Sequence, residues 1–111
     1  MQFFTPGIPQ VYYVGLFAGR NDFDFYHRTR QGRDINRHYY SLPEIEEEMK
    51  RPVVREMLEL MRLRNNHAAF NGTFRLLPSS PSELRLRWEN GAEFAELDAD
   101  FAALTYTIRH S

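Results

Sequence analysis

The chain has 111 residues, of which 42% are hydrophobic, and 14 basic and 15 acidic side chains give it a net charge of −1. This balance excludes binding to nucleic acid or to an anionic membrane through overall positive charge, and the lack of cysteine excludes disulfides and thiolate metal sites. No apolar run approaches the roughly 20 residues of a membrane span, and the first residues lack the charged start of a signal peptide, so we expect a cytoplasmic protein.

The apolar run from Ile8 to Val14 predicts a β-strand. Pro6 and Pro9 stand before the run and near its start, where a strand tolerates proline. The run does not alternate with polar residues, which is typical of a strand buried on both faces of a parallel sheet. No second strand of this kind follows, so we expect that the sheet begins before Met1 and that the chain is truncated.

A long irregular segment from Gly15 to Gly32 follows this strand. Loops of this length inside a compact domain are usually functional. Within the segment we expect a short helical turn around Asp24 to Arg30.

Two helices are predicted next. Ser41 and Glu44 have the spacing of a capping box, which starts a short helix over about Leu42 to Lys50. Pro52 opens a second helix of about 14 residues, because proline is tolerated in a first turn. Apolar side chains fall on one side of this second helix, which predicts that it packs against another element.

The last third of the chain predicts an antiparallel sheet of about four strands. Thr73 to Leu77 is a short strand, and a second strand alternates apolar with arginine side chains from Leu84 to Trp88. Asn90-Gly91 is a strong signal for a two-residue hairpin turn, which would pair Leu86 with Ala95 and Leu84 with Leu97. A further turn at Asp98 to Asp100 precedes the final strand.

Several motifs in this chain resemble the α-amylase family, glycoside hydrolase family 13, and within it the sucrose phosphorylases. The run Thr5-Pro-Gly-Ile-Pro-Gln-Val-Tyr-Tyr13 is similar to the eighth barrel strand of that family. The departure from the common pattern at Val14-Gly15-Leu16 is similar to the sucrose phosphorylases, as are Ala18-Gly-Arg-Asn-Asp22, Gly32-Arg-Asp-Ile-Asn-Arg-His-Tyr-Tyr40, Lys50-Arg-Pro-Val-Val54 and Ala69-Phe-Asn-Gly-Thr-Phe74.

The resemblance implies an α+β fragment. Residues 1–68 would be the end of a (β/α)8 barrel, with its last strand and helices, and residues 69–111 would be a small antiparallel β domain. Barrel enzymes place their sites at the C-terminal ends of the strands. The long loop after Tyr13 would therefore lie at the site.

The resemblance also implies a reaction. A carboxylate nucleophile and an acid would transfer a glucosyl group from sucrose to phosphate with retained configuration, which needs two carboxylates about 5 Å apart. In the family these carboxylates precede the eighth strand, so we expect no catalytic residue in this chain and no activity from it alone. Partners of the parent enzyme would be a glucosyl donor and phosphate, and no cofactor or metal is expected.

The candidate substrate-binding residues implied by the resemblance are Arg33, Asn36, Arg37 and His38. The family's arginine at the position of Arg33 lines the glucosyl subsite and pairs with an upstream aspartate, and a planar guanidinium suits both tasks. Arg37 and His38 have an alternative role, which is to fix the loop against the following helix.

Two other functions stay open at this point. The basic residues from His27 to His38 lie near aromatic residues, which is also typical of an anion-binding or nucleic-acid-binding module. The chain could instead be an interaction domain, because a barrel strand without neighbours exposes apolar surface and should drive self-association.

Overall fold

The computed structural model describes every residue from Met1 to Ser111. The helices are α1 (Tyr13–Leu16), α2 (Phe23–Thr29), α3 (Leu42–Glu48) and α4 (Pro52–Asn66), and the strands are β1 (Thr73–Leu77), β2 (Glu83–Asn90), β3 (Glu93–Asp100) and β4 (Thr105–His110). Short 3-10 turns cover Gln2–Phe4, Gly32–Asn36 and Ala68–Asn71. None of the helices combines the length and apolar character needed to cross a membrane.

The chain divides into two compact units. The first unit combines residues 1–9 with residues 60–111, so it holds the second half of α4 and the whole sheet. The second unit is residues 10–59, which include α1 to α3, the start of α4 and the Gly32–Asn36 turn.

The sheet confirms the predicted four antiparallel strands, in the order β1-β2-β3-β4. The predicted register of the central hairpin is wrong by two residues, because Leu86 pairs with Leu97 rather than with Ala95. Strand β2 continues to Asn90, which pairs with Glu93, so the turn is Gly91-Ala92. Moving a turn by one residue shifts the pairing by two, and the same side chains therefore stay on the same face.

The turn predicted at Asp98 to Asp100 is also displaced, because β3 continues to Asp100. Asp98 remains within the strand, because its carboxylate pairs with arginines of both neighbouring strands. It lies 2.7 Å from Arg85 Nε of β2 and 2.7 Å from Arg109 Nη2 of β4. The strand ends at Asp100, whose Oδ1 accepts hydrogen bonds from the backbone of Ala102 and Ala103.

One face of the sheet is apolar and packs within the first unit. Trp88 and Leu86 of β2 are buried, as is Leu97 of β3. The indole of Trp88 donates a hydrogen bond of 2.7 Å to the carbonyl of Phe4, whose ring meets Phe70 edge to face at 5.3 Å. Trp88 is thus part of the core of the first unit.

The predicted helices are confirmed where the signal is local. Ser41 and Glu44 form both bonds of the capping box that starts α3, and Pro52 begins α4. Helix α2 begins one residue earlier than expected, because the Asp22 side chain caps it by accepting from Phe25 N at 2.7 Å.

The strand predicted over Ile8 to Val14 is wrong for this structure. Residues 8–12 are irregular, helix α1 begins at Tyr13, and the Ile8 side chain is 92% exposed. A parallel strand is held by hydrogen bonds to neighbouring strands, and the four strands of this chain pair only among themselves. The structure confirms the predicted antiparallel sheet with helices, but it does not show the predicted barrel strand.

Candidate functional site

The Gly32–Asn36 turn carries the residues singled out by the sequence. The backbone N–H of Asp22 donates to the Ile35 carbonyl of the turn at 2.6 Å, and Arg37 N closes the end of the turn by donating to the Asp34 carbonyl at 3.3 Å. Asp34 is 8% exposed, although it is a charged residue. The turn is thus tied to the start of α2 through its backbone.

Arg33 lies on the outside of this turn. Its side chain is 66% exposed, and its Nε donates to Gln31 Oε1 at 2.9 Å and lies 3.9 Å from Asp34 Oδ1. Both contacts involve Nε, so the two terminal nitrogens remain available for a ligand. The guanidinium can therefore offer a two-pronged donor to a carboxylate or to sugar hydroxyls.

Asn36 and Arg37 are also exposed. Arg37 lies near Tyr13, where its positive charge favours the ionised phenol. A hydrogen bond with Tyr12 and burial outweigh this effect and raise the pKa of Tyr13 to about 12. The rings of Tyr12 and Tyr13 lie 4.6 Å apart, so an aromatic pair stands near the predicted binding residues.

His38 is half-buried and lies between two carboxylates. Its Nδ1 is 3.4 Å from Asp22 Oδ2, and its Nε2 is 3.2 Å from Glu44 Oε1. The ring also meets Tyr40 edge to face at 4.6 Å. The sequence indicated that His38 could fix the loop against the next helix, but it did not reveal Asp22 as a partner.

The two carboxylates around His38 are held in their ionised forms. The backbone N–H of Phe25 is the main cause that lowers the pKa of Asp22, and the hydrogen bond from His38 adds to it. The pKa of Glu44 is lowered first by the backbone N–H of Ser41, then by the Ser41 side chain and by His38. Both groups therefore accept hydrogen bonds well into the acid range.

An open cavity of about 880 Å³ lies beside this cluster, within the second unit. Carboxylates dominate its lining, with Arg20 and Arg51 as cationic counterparts; the acidic residues are Asp22, Asp24, Glu44, Glu47 and Glu48. Of the four predicted site residues, His38 lines this cavity, whereas Arg33, Asn36 and Arg37 do not.

The structure contains no group of three or more His, Asp or Glu side chains that could hold a metal ion. No protein-family model matches the chain.

Individual relatives match it over nearly its whole length. Sucrose 6(F)-phosphate phosphorylase of Thermoanaerobacterium thermosaccharolyticum is 49% identical over 108 residues, which are 97% of this chain and 22% of that enzyme. Glucosylglycerol phosphorylase of Marinobacter adhaerens is 45% identical over 111 residues, covering 100% of this chain and 23% of that enzyme. Sucrose phosphorylase of Bifidobacterium adolescentis is 47% identical over 97 residues, which are 87% of this chain and 19% of that enzyme.

A solved structure agrees with these sequences. The crystal structure of sucrose 6F-phosphate phosphorylase from Thermoanaerobacter thermosaccharolyticum superposes with a TM-score of 0.95 at 49% identity, over 98% of this chain and 22% of that one.

These relatives define a class, that of sugar phosphorylases. Within that class the chain corresponds to the C-terminal part of a sucrose phosphorylase-like enzyme, which confirms the resemblance inferred from the motifs. The chain spans about a fifth of the length of the curated relatives it matches.

Proposed function

We propose that this chain serves a retaining phosphorylase that moves a glucosyl group from a sucrose-like donor to phosphate. One observation carries the proposal, which is the 0.95 TM-score at 49% identity to a sucrose 6F-phosphate phosphorylase over 98% of the chain. The donor is a small α-glucoside, and the relatives' names include sucrose, its phosphate and glucosylglycerol. We place the enzyme in the cytoplasm.

The catalytic carboxylates belong to the rest of the parent enzyme in this proposal. A retaining transfer needs a nucleophile and an acid about 5 Å apart that flank one sugar carbon. Asp22 and Glu44 cannot fill these roles, because a histidine ring separates them and each also caps a helix. We therefore assign substrate binding and support of the fold to this chain.

The domain arrangement follows the same proposal. Residues 1–68 form the end of a (β/α)8 barrel and residues 69–111 form the appended β domain. Tyr12 already has an extended backbone, with φ −76° and ψ 140°. In the parent enzyme, neighbouring barrel strands would supply the ladder hydrogen bonds that such a segment needs.

Arg33 is the residue that we assign to the glucosyl subsite. Its exposed side chain and its two available terminal nitrogens suit a bidentate contact that a lysine cannot reproduce. Asn36 and Arg37 lie on the same exposed stretch and are assigned supporting contacts to the sugar or phosphate, whereas His38 has both ring nitrogens occupied.

The test is phosphorolysis by the full-length enzyme, with glucose 1-phosphate as the product measured. Arg33→Lys should lower kcat/KM by about 10- to 100-fold, because a charged bidentate hydrogen bond is worth roughly 1.5–3 kcal/mol. Arg62→Lys, at an exposed position of α4, is the matched control and should stay within about twofold of the wild type. Unchanged kcat/KM for Arg33→Lys would remove Arg33 from the subsite.

The isolated 111-residue chain gives a second test. With sucrose and phosphate it should release no glucose 1-phosphate above a blank, whereas the full-length enzyme in the same assay should do so. Turnover by the isolated chain would mean that the reacting carboxylates lie within it, and the assignment of roles above would be wrong.

The alternative of an anion-binding or nucleic-acid-binding module gains no support from the comparisons. The basic residues from His27 to His38 are interleaved with the carboxylates of Asp34 and, across the fold, of Asp22. A salt titration separates the two functions, since nucleic-acid affinity falls steeply as salt rises.

A further inference from the structure

His38 lies between two carboxylates, and the number of protons on its ring decides how many hydrogen bonds it can donate to them. A neutral imidazole has one N–H donor, whereas the protonated ring has two. Both ring nitrogens of His38 face carboxylate oxygens, at 3.4 Å and 3.2 Å, and an ionised carboxylate only accepts hydrogen bonds. Both contacts can be hydrogen bonds at the same time only when the ring carries its second proton.

The contacts of His38 with Asp22 and Glu44, which we call the bridge, join three elements of the second unit. These are α2, α3 and the Gly32–Asn36 turn. Asp22 caps α2 through Phe25 N, and Glu44 closes the capping box of α3 through Ser41 N at 2.7 Å. The backbone N–H of Asp22 holds the Ile35 carbonyl of the Gly32–Asn36 turn. When the His38 ring binds both Asp22 and Glu44, it therefore fixes the turn that carries Arg33.

We propose that His38 is a positioning residue that holds the Gly32–Asn36 turn between the starts of α2 and α3, and that this hold weakens when the ring loses its second proton. The structural half of this inference stands on the contacts of His38, and its kinetic half rests on the proposed role of Arg33.

The other charged groups near the ring keep their charge while an imidazole titrates, which occurs between about pH 5 and 8. Asp22 and Glu44 are ionised in this range, and Arg28, which acts on Asp22, is always cationic. Tyr40 remains a neutral phenol, because burial raises its pKa. Its own charged neighbours, Glu48 and Arg51, form an ion pair with each other. These neighbours therefore keep their charges while the number of protons on the imidazole changes.

Amide hydrogen exchange of the full-length enzyme tests the structural half. The reporters are the amides of Asp22, Phe25 and Ser41, which donate the hydrogen bonds around the bridge. After correction for intrinsic exchange, their protection in the wild type should fall by about tenfold from pH 5.5 to pH 8, which is the effect of one charge-assisted hydrogen bond. This comparison needs no substitution.

A variant and a matched control sharpen the test. His38→Gln keeps one donor group, which does not titrate. The protection of the three reporter amides in this variant should therefore be low and independent of pH. His27→Gln removes an exposed histidine of α2 whose ring contacts Tyr26, and it should retain the wild-type pH dependence. Equal protection in wild type and His38→Gln at both pH values overturns the inference.

Kinetics test the second half. The KM for the glucosyl donor should rise by about three- to tenfold between pH 5.5 and 8 in the wild type, and kcat should change less. In His38→Gln the KM should be raised and flat over this range. Absent phosphorolysis would refute the proposed function but leave the exchange result valid, whereas a pH-independent wild-type KM together with pH-dependent exchange would refute only the link from the bridge to Arg33.

Discussion

Gly72 is a residue whose missing side chain is required by the fold. A Cβ at this position would lie 1.9 Å from the carbonyl oxygen of Glu89 and 2.6 Å from its carbonyl carbon. Both are backbone atoms of β2, so relief requires movement of the strand. The glycine thus permits the close approach between the Ala68–Asn71 turn and the sheet.

Gly72→Ala should therefore destabilise the protein by about 2–4 kcal/mol, which is the range of a severe steric defect. Urea unfolding followed by circular dichroism measures this change. Gly15→Ala is the control, because a Cβ there meets nothing within 4 Å and alanine favours helix α1. A Gly72→Ala midpoint equal to that of Gly15→Ala would show that the strand yields without cost.

Arg64 makes more interactions in the structure than its position in the sequence predicts. Its place near the end of α4 predicts a favourable interaction with the helix dipole. In the structure its guanidinium lies 4.6 Å from the Phe70 ring and 4.8 Å from the Trp88 ring, and it donates to the Gly7 carbonyl at 3.0 Å. Trp88 and Gly7 are distant from Arg64 in sequence, so no local pattern could have indicated these two contacts.

At the level of elements, the polar face of the sheet is organised around Glu96 of β3. Although it is charged, Glu96 is 5% exposed, and it accepts hydrogen bonds from arginines on both neighbouring strands, including Arg87 at 2.7 Å and Arg109. The hydrogen bond from Arg87 is the largest cause that lowers its pKa from 4.5, and burial acts against it. The carboxylate therefore couples three strands only while it is ionised.

The sign of the resulting pH dependence is fixed. A carboxylate with a lowered pKa stabilises the fold above its unfolded-state value, and this stabilisation is lost as the pH falls through the folded-state value. The contribution of Glu96 to the free energy of unfolding should thus be nearly constant from pH 7 to 5 and fall below about pH 4.5. Glu96→Gln should cost about 1–3 kcal/mol at pH 7 and reduce the loss below pH 4.5.

Urea titrations at pH 7, 5 and 3.5 measure this effect, and Glu46→Gln on the exposed side of α3 is the control. The control should have the wild-type profile. If Glu96→Gln keeps the full acid loss, other carboxylates, such as Glu89, govern the acid response.

Helices and strands differed in how far the sequence could predict them. The capping box at Ser41 and the proline at position 52 are local signals, and α3 and α4 begin where these signals indicate. The strand predicted over Ile8 to Val14 depends on neighbours that a sequence pattern cannot supply. The hairpin was predicted with its apolar face correct and its register shifted, because Asn90 pairs as a strand residue rather than turning.

The candidate site could also be predicted only in part from the sequence. The run from Gly32 to Tyr40 was recognisable from its residues, and the structure places it on one short turn and the segment that follows. The contact of His38 with Asp22 joins residues 16 apart. Periodicity and capping rules describe neighbours within about four positions, so they could not have predicted this contact.

On the scale of the whole molecule, large apolar side chains lie open to solvent. Ile8 is 92% exposed, Leu104 88%, Tyr39 77% and Leu42 76%. Surfaces of this kind favour association. In the parent enzyme we expect other parts of the polypeptide to cover some of them.

The isolated chain should therefore self-associate. Sedimentation velocity should give a mass above 13.2 kDa that increases with protein concentration. A variant with serine at Ile8, Tyr39 and Leu42 should shift the distribution towards the monomer, whereas Glu46→Ser should not. A monodisperse monomer for the wild-type chain at every concentration would contradict this prediction.

The first unit is assembled from both ends of the chain, and this has a consequence for the order of folding. The hydrogen bond between Trp88 and Phe4 joins residues 84 positions apart, and the hydrogen bond between Arg64 and Gly7 joins residues 57 positions apart. Closing a long loop costs entropy before any contact repays it, so such topologies fold slowly. On the ribosome, the Phe4 segment cannot complete these contacts until β2 has left the exit tunnel, and a chaperone has that interval in which to bind it.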